Sequence, residues 1–132
     1  MRLLFVCHGN ICRSPIAQSV MQNFINQSGL SVRVSVDSAA THADEIGSPP
    51  YYETQRVLKE QKVPLVAHRA VQVTPADYER YDLILCVDDE NMRCAKFQRL
   101  SKTNRLKFKE RRFKFNRLRT PTNRRSLLHA RF

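Results

Sequence analysis

Eight consecutive residues near the start of the chain combine a thiol, an arginine and a glycine in a pattern suited to a phosphate-like dianion. In order, they are Cys7, His8, Gly9, Asn10, Ile11, Cys12, Arg13 and Ser14. The guanidinium of Arg13 is planar and can hold two phosphate oxygens at once. We expect Gly9 and Asn10 to adopt the left-handed backbone that turns successive N–H groups toward an anion.

The elements predicted on either side of this segment support the same chemistry. The apolar run at residues 3–6 predicts a buried parallel strand before it. A helix is predicted after it, with Ser14 as the N-cap and Pro15 at the first helical position. A loop that ends at a helix N-terminus offers backbone N–H donors and a positive dipole end, which favour the thiolate form of Cys7. Such a thiolate can attack phosphorus and form a cysteinyl-phosphate.

The same residues allow two plainer interpretations. Cys7 could be a buried thiol at a strand end, with Arg13 as a surface charge, but the surrounding strand, glycine and capped helix favour the functional interpretation. Cys7, His8 and Cys12 are metal-ligand types, but no second pair of ligands is spaced for a metal ion. We therefore expect no metal and no organic cofactor.

Strand and helix signals alternate through the first two-thirds of the chain. The first helix is predicted to present an apolar face of Ile16, Val20 and Phe24 and to end at Gly29. Such alternation predicts a parallel sheet with helices on both faces. The remaining signals are a strand at valines 32, 34 and 36, a helix over residues 51–61, a weak strand at residues 65–66, a helix start at Thr74 and Pro75, a strand over residues 83–87 and a helix capped by Asp88 or Asp89.

The charge is distributed unevenly along the chain. Residues 1–93 contain nine Lys/Arg and eleven Asp/Glu, whereas residues 94–132 contain fourteen Lys/Arg and a single acid, Glu110. This break predicts one domain over residues 1–93 and a divergent basic segment over residues 94–132 that folds poorly. The segment could instead bind nucleic acid or acidic lipid non-specifically, or form an edge strand at residues 106–109 and a helix, but we favour the first interpretation.

Composition and hydropathy favour a folded cytoplasmic protein. Apolar residues make up 42% of the chain and charged residues 27%, which argues against wholesale disorder. The apolar run at residues 3–6 is too short for a secretory signal, and no stretch approaches the length of a membrane span. With four cysteines and no secretory signal, we expect a cytoplasmic protein with free thiols and no membrane partner.

The loop resembles the phosphate loop of the low-molecular-weight protein tyrosine phosphatases, whose pattern is Cys-x-Gly-Asn-x-Cys-Arg-Ser-Pro. The resemblance extends through residues 1–93 in order and spacing, at residues 38–41, 47–49, 68–70, 77–78, 81–85 and 88–91. It implies a single α/β domain with a four-stranded parallel sheet and a phosphate loop (residues 7–13) between the first strand and the first helix. It also implies hydrolysis of a phosphotyrosine protein or a small aryl phosphate.

The resemblance also implies roles for individual residues. Cys7 is the expected nucleophile, Arg13 the phosphate-binding cation and Ser14 a hydrogen-bond partner of the thiolate. Asn10 is expected to hold the loop conformation. Cys12 matches a second loop cysteine that can form a reversible disulfide with the nucleophile. The predicted phosphate-binding residues are His8, Gly9, Asn10, Ile11, Cys12 and Arg13, with Ile11 lining the mouth of the pocket.

Two histidines and two tyrosines lie outside the loop. His42 and His68 are predicted to be structural rather than catalytic. Tyr51 and Tyr52 suit two roles equally well, a wall of the substrate pocket or the packing of a helix start. Nothing in the sequence separates these two roles.

The resemblance stops before the family's general acid, an Asp in an Asp-Pro pair. The chain has no Asp after Asp89, and its last proline, Pro121, follows Thr120. We therefore expect reduced activity, with an oxyanion-binding protein of little turnover as the alternative. A second alternative is an arsenate reductase, a related fold whose redox relay would here use Cys86 and Cys94, but the Ser-Pro that follows the loop is the phosphatase form.

Overall fold

The structure of the chain, a computed structural model, describes residues 1–100, with side chains up to residue 96. The described residues form three strands and four helices. These are β1 (Arg2–Cys7), α1 (Arg13–Gln27), β2 (Ser35–Ala40), α2 (Tyr52–Glu60), α3 (Asp77–Arg80), β3 (Leu83–Cys86) and α4 (Asp89–Leu100). Within this part of the chain, no helix is long and apolar enough to cross a bilayer.

The three strands form one parallel sheet in the order β2-β1-β3. The expectation of four strands is therefore wrong for residues 1–100. Residues 65–66, one predicted strand, form none, because the backbone N–H of Val66 donates to the hydroxyl of Ser19 on α1 instead of to a strand. The other predicted strand, at residues 106–109, lies outside the described residues, as do the alternatives for the basic segment.

The central strand β1 supplies the core on both faces of the sheet. Leu3 packs with Ile25 of α1 on one face. Leu4 and Val6 pack on the other face, where Tyr78 of α3 covers them. Alternate residues of a strand point to opposite faces, so a continuous apolar run is the sequence that a doubly covered strand requires. The predicted α/β fold with helices on both faces is confirmed.

The face that α1 buries is not the predicted apolar one. Val20 is 48% exposed and Phe24 is 57% exposed, whereas Gln18 and Ser19 are buried. Ile25 is the apolar anchor of the helix, with 1% of its surface exposed. The prediction failed because three- and four-residue spacing locates an apolar stripe but not the side of the helix on which the sheet lies.

The first helix also begins differently from the prediction. It starts at Arg13, with Cys12 at the N-cap position and no side-chain cap. Ser14 is therefore inside the first turn, and its hydroxyl is directed to the loop rather than to the helix backbone. The predicted stop is confirmed, since Gly29 follows the helix end with a φ of 66°, a conformation that glycine adopts without strain.

The later elements follow their sequence signals closely. The helix predicted over residues 51–61 is α2, one residue shorter at each end, and the strand predicted over residues 83–87 is β3. Asp88 is the N-cap of α4, because its Oδ1 accepts the backbone N–H of Asn91 at 2.8 Å. The helix α4 runs across the composition break at residue 94, and the division of the chain there stays a prediction.

The burial of α1 gives a stability prediction. Ile25→Ala should lower the free energy of unfolding by about 2–5 kcal/mol, because it leaves a cavity against β1 and β2. Phe24→Ala, one residue earlier and mostly exposed, should cost clearly less. Urea unfolding of the two variants beside the parent measures both values. Equal losses would show that the buried side of α1 is wrongly assigned.

Candidate active site

The phosphate loop lies at the carboxyl edge of the sheet and is pinned to two neighbouring segments. Thr41 donates its backbone N–H to the carbonyl of Cys7 at 2.8 Å, and His42 does the same to His8 at 3.1 Å. On the other side, the backbone N–H of Tyr51 donates to the carbonyl of Ile11 at 2.8 Å. The loop is therefore fixed by the backbone that follows β2 and by the start of α2.

The sulfur of Cys7 lies at the end of a chain of hydrogen-bond donors. Cys7 as a whole is 2% exposed. Its sulfur accepts the backbone N–H of Asn10 at 3.3 Å. The hydroxyl of Ser14 lies 2.9 Å from the sulfur and accepts the side-chain N–H of Asn10, so its own proton is available to the sulfur. Two hydrogen-bond donors, the Asn10 N–H and the Ser14 hydroxyl, are thus directed at the sulfur.

Asn10 holds the loop through every polar atom of its side chain. Its φ is 57°, and the residue is fully buried. Its Nδ2 donates to the hydroxyls of Ser14 and Ser38 at 2.9 Å each, and its Oδ1 accepts the backbone N–H of Val71 at 3.1 Å. Its carbonyl accepts the Nε2–H of His68 at 2.7 Å. The predicted role of Asn10 in loop conformation agrees with this geometry.

Gly9 has a different role from the one predicted. Among the described residues, the non-glycine residues with positive φ are Asn10 and Lys62, and Gly9 itself is not left-handed. A Cβ at Gly9 would lie 3.3 Å from Cγ of Glu45. The glycine therefore permits the close approach of the segment after β2, rather than an unusual backbone angle.

Arg13 lies beside the loop in an ion pair with Asp88. Its Nη1 donates to Oδ2 of Asp88 at 2.5 Å, while Oδ1 of the same carboxylate caps α4 through Asn91. Partial burial of Asp88 opposes ionisation, but the Asn91 N–H and Arg13 outweigh it and lower the pKa of Asp88. Asp88 thus orients the guanidinium at the mouth of the loop. Sequence reasoning found Asp88 as a helix cap and missed this second contact.

Cys12 is a partly buried thiol behind the loop. Burial raises its pKa, the negative charge of Cys7 adds to the rise, and a hydrogen bond to Thr54 of α2 opposes it. All four cysteines are free thiols in this structure. No group of three or more His, Cys, Asp or Glu side chains within the described residues could hold a metal ion. The expectation of no metal stays a prediction.

A cleft of about 400 Å³ lies behind the loop rather than over Cys7. Its lining includes Ser38, His68 and Val71. All three form hydrogen bonds with Asn10. Sequence reasoning treated His68 as structural, and its bond to the loop backbone fits that role. Its connection to Asn10 had no signal in the sequence, because the two residues are 58 positions apart.

Comparison with known proteins identifies the family. The profile of the family "Low molecular weight phosphotyrosine protein phosphatase" matches residues 2–114. The chain belongs to this family. It is 46% identical over 91 residues to the human low molecular weight phosphotyrosine protein phosphatase, which is 69% of this chain and 57% of the human one. The chain thus spans a little over half the length of the curated relatives it matches.

Solved structures of family members share the fold. The crystal structure of YfkJ from Bacillus subtilis has a TM-score of 0.74 and 33% identity, covering 77% of this chain and 64% of that one. The crystal structure of the Drosophila arginine phosphatase has a TM-score of 0.73 and 28% identity, covering 78% and 64%. These matches confirm the family resemblance carried by the phosphate loop.

The Asn10 network gives a prediction on loop stability. Asn10→Ala should lower the free energy of unfolding by about 2–4 kcal/mol, because it leaves buried hydrogen-bonding groups unsatisfied and places a Cβ residue at positive φ. It should also weaken binding of inorganic phosphate. Urea unfolding and phosphate titration measure the two effects.

The matched control for this prediction is Asn26→Ala. Asn26 is an exposed asparagine on α1, and its side-chain oxygen accepts hydrogen bonds from Gln22 and Ser31. Its loss should change the free energy of unfolding by less than about 1 kcal/mol. If Asn10→Ala proves as mild as Asn26→Ala, the buried amide does not hold the loop.

Proposed function

We propose that this protein is a protein-tyrosine phosphatase that hydrolyses aryl phosphate monoesters through a cysteinyl-phosphate. The observation that carries the proposal is the buried sulfur of Cys7, which faces the Asn10 N–H and the Ser14 hydroxyl beside an oriented Arg13. The names of the relatives support the same reaction. The substrate class is a phosphotyrosine protein or a small aryl phosphate, and a cytoplasmic location stays a prediction.

The chemistry proceeds in two displacements. The thiolate of Cys7 attacks phosphorus in line with the leaving oxygen, forming the S–P bond as the P–O bond to the aryl group breaks. Arg13 and the loop N–H groups hold the non-bridging oxygens, where negative charge is concentrated. Water then attacks the cysteinyl-phosphate, which releases inorganic phosphate and returns the thiolate. Ser14 can donate its hydrogen bond to the departing sulfur in this second step.

The arsenate reductase alternative fits this structure less well. Its relay would use both Cys86 and Cys94 as reactive thiols. Burial, together with the charges of Asp88 and Cys94, raises the pKa of Cys86 to about 11. A thiol with so high a pKa is almost entirely protonated at neutral pH and is a poor redox nucleophile.

The oxyanion-binding alternative depends on the missing Asp-Pro acid. Asp88 already accepts hydrogen bonds from Arg13 and Asn91 in the described structure, and its lowered pKa makes it a poor proton donor. We propose that turnover therefore depends strongly on the leaving group. Binding of the phosphate itself should be retained.

The test is the rate of phosphoenzyme formation across a series of aryl phosphates. A general acid typically contributes about 10²–10⁴-fold. Tyrosine, with a pKa of about 10, should therefore leave far more slowly than an activated phenol. The expected result is a steep dependence of rate on leaving-group pKa with little change in binding. A flat dependence, with phosphotyrosine as fast as the activated ester, would show that some residue protonates the leaving group.

Two controls make this experiment specific. Cys7→Ser should abolish the phosphoenzyme but keep oxyanion binding, because the loop N–H groups and Arg13 remain. Phosphoarginine serves as a comparison substrate, since one structural neighbour is an arginine phosphatase. Retention of the phosphoenzyme in Cys7→Ser, or a clear preference for phosphoarginine, would overturn the proposed assignment.

The two loop cysteines give a redox prediction. Peroxide should oxidise Cys7 to the sulfenic acid, and the Cys12 thiolate should then attack that sulfur, expel hydroxide and form a disulfide. Because the pKa of Cys12 is raised, its thiolate fraction grows with pH, and bridge formation should accelerate as pH rises above neutral. Mass spectrometry of the bridged peptide measures the rate.

Cys12→Ser is the matched variant for the redox experiment. It should form no bridge and should lose activity irreversibly under the same peroxide dose, whereas reductant should restore the parent. Cys86→Ser should behave like the parent, because Cys86 lies in β3 and takes no part in the loop. A parent protein that reductant fails to restore would contradict the pairing.

A further inference from the structure

Two histidines stack at the edge of the phosphate loop. The ring centroids of His8 and His42 are 3.9 Å apart, with the planes inclined by 15°. The backbone N–H of His42 donates to the carbonyl of His8, and Nδ1 of His42 lies 2.8 Å from the hydroxyl of Thr41. The stack is therefore built on the backbone contact that joins the loop to the segment after β2.

A carboxylate fixes the outer ring of this stack. Nε2 of His8 lies 3.0 Å from Oδ2 of Asp44, and both side chains are about half or more exposed. Glu45, the next residue, lies against Gly9 of the loop. The edge of the loop thus carries two imidazoles and two carboxylates, whereas Arg13, at the end of the loop, carries a permanent positive charge.

The net charge of this edge depends on protonation of the imidazoles. The ring of His8 lies between the ring of His42 and the carboxylate of Asp44, with its Nε2 3.0 Å from Oδ2 of Asp44. A protonated His8 would neutralise Asp44, whereas a neutral His8 leaves Asp44 and Glu45 as negative charges beside the loop. Histidine is the side chain that makes this change between about pH 5 and 8.

We propose that the side chain of His8, through its contact with Asp44, makes the oxyanion affinity of the phosphate loop depend on pH. This inference rests on the proposed function, since it assumes that the loop holds an oxyanion. The sign follows from the charges, because protonated His8 neutralises Asp44 and deprotonated His8 leaves a negative edge. Affinity is therefore higher at low pH and falls as pH rises through the titration of the stack.

Several other groups around the stack carry charge or titrate. They are Cys7, Cys12 and Arg13 on the loop, His42, Asp44 and Glu45 after β2, His68 on the segment before α3, and Asp88 and Asp89 at the start of α4. Of these, the thiol of Cys7 is the main alternative source of pH-dependent binding, because its ionisation would also repel an anion. The experiment therefore removes it.

The test uses the full chain in a Cys7→Ser background, with sulfate as the probe. Sulfate stays a dianion from pH 5 to 9, so any pH dependence of its binding comes from the protein. At constant ionic strength, the affinity should fall by about two- to fivefold between pH 5.5 and pH 8, the size expected for one partly screened charge. By linkage, saturating sulfate should move the His8 ring titration, followed by NMR, to higher pH.

Three further substitutions in the Cys7→Ser background test how His8 and Asp44 each affect the pH dependence of sulfate binding. His8→Gln should flatten the pH profile, and Asp44→Asn should move its midpoint to lower pH, because the imidazolium loses its carboxylate. Glu60→Gln is the matched control, since it breaks an exposed ion pair with Arg56 on α2 and should leave the profile unchanged. Urea unfolding checks that each variant is folded.

The outcomes separate this inference from the proposed function. If His8→Gln keeps the full pH dependence, or the parent shows none, the role of His8 is wrong while the anion-binding loop stands. If the parent binds no sulfate at any pH, the loop is not an oxyanion site, and both the proposed function and the role of His8 are overturned.

Discussion

The buried side-chain amide of Asn10 is the interaction on which the rest of the site depends. A buried amide is tolerated only when its donors and acceptor are all paired, and here each is. Its partners come from three separate parts of the chain, with Ser14 on α1, Ser38 on β2 and Val71 on the segment before α3. The loop therefore takes its shape only when these parts have packed together, so folding of the domain and assembly of the site are one event.

The electrostatics of the loop combine permanent and titrating elements. The loop N–H groups and the start of α1 supply a fixed positive field. Arg13 adds a permanent charge, which Asp88 orients with one carboxylate oxygen while capping α4 with the other. His8 and Asp44 add an edge whose charge depends on the protonation of His8. The site is thus held ready for a dianion without large rearrangement, which is how a preorganised site stabilises a phosphoryl group.

The sequence predicted the order of elements because its signals there are local. The apolar run of β1, the glycine after α1 and the cap of α4 each act within a few residues, and the structure has all three. The buried face of α1 and the number of strands were not predictable in this way. Which side of α1 meets the sheet depends on packing against β1 and β2, and there Gln18 is buried against Val36 while Val20 is exposed.

In the candidate site, too, local features were predictable from the sequence and long-range contacts were not. The sequence by itself determined that Cys7 and Arg13 belong to one loop between a strand and a helix, because six residues of continuous chain hold them together. Only the tertiary structure decided what positions them. Asn10 meets Ser38 across 28 residues, and Arg13 meets Asp88 across 75. Contacts of such separation leave no periodic or capping signal in the sequence, because they exist only once the strands are paired and the helices are packed.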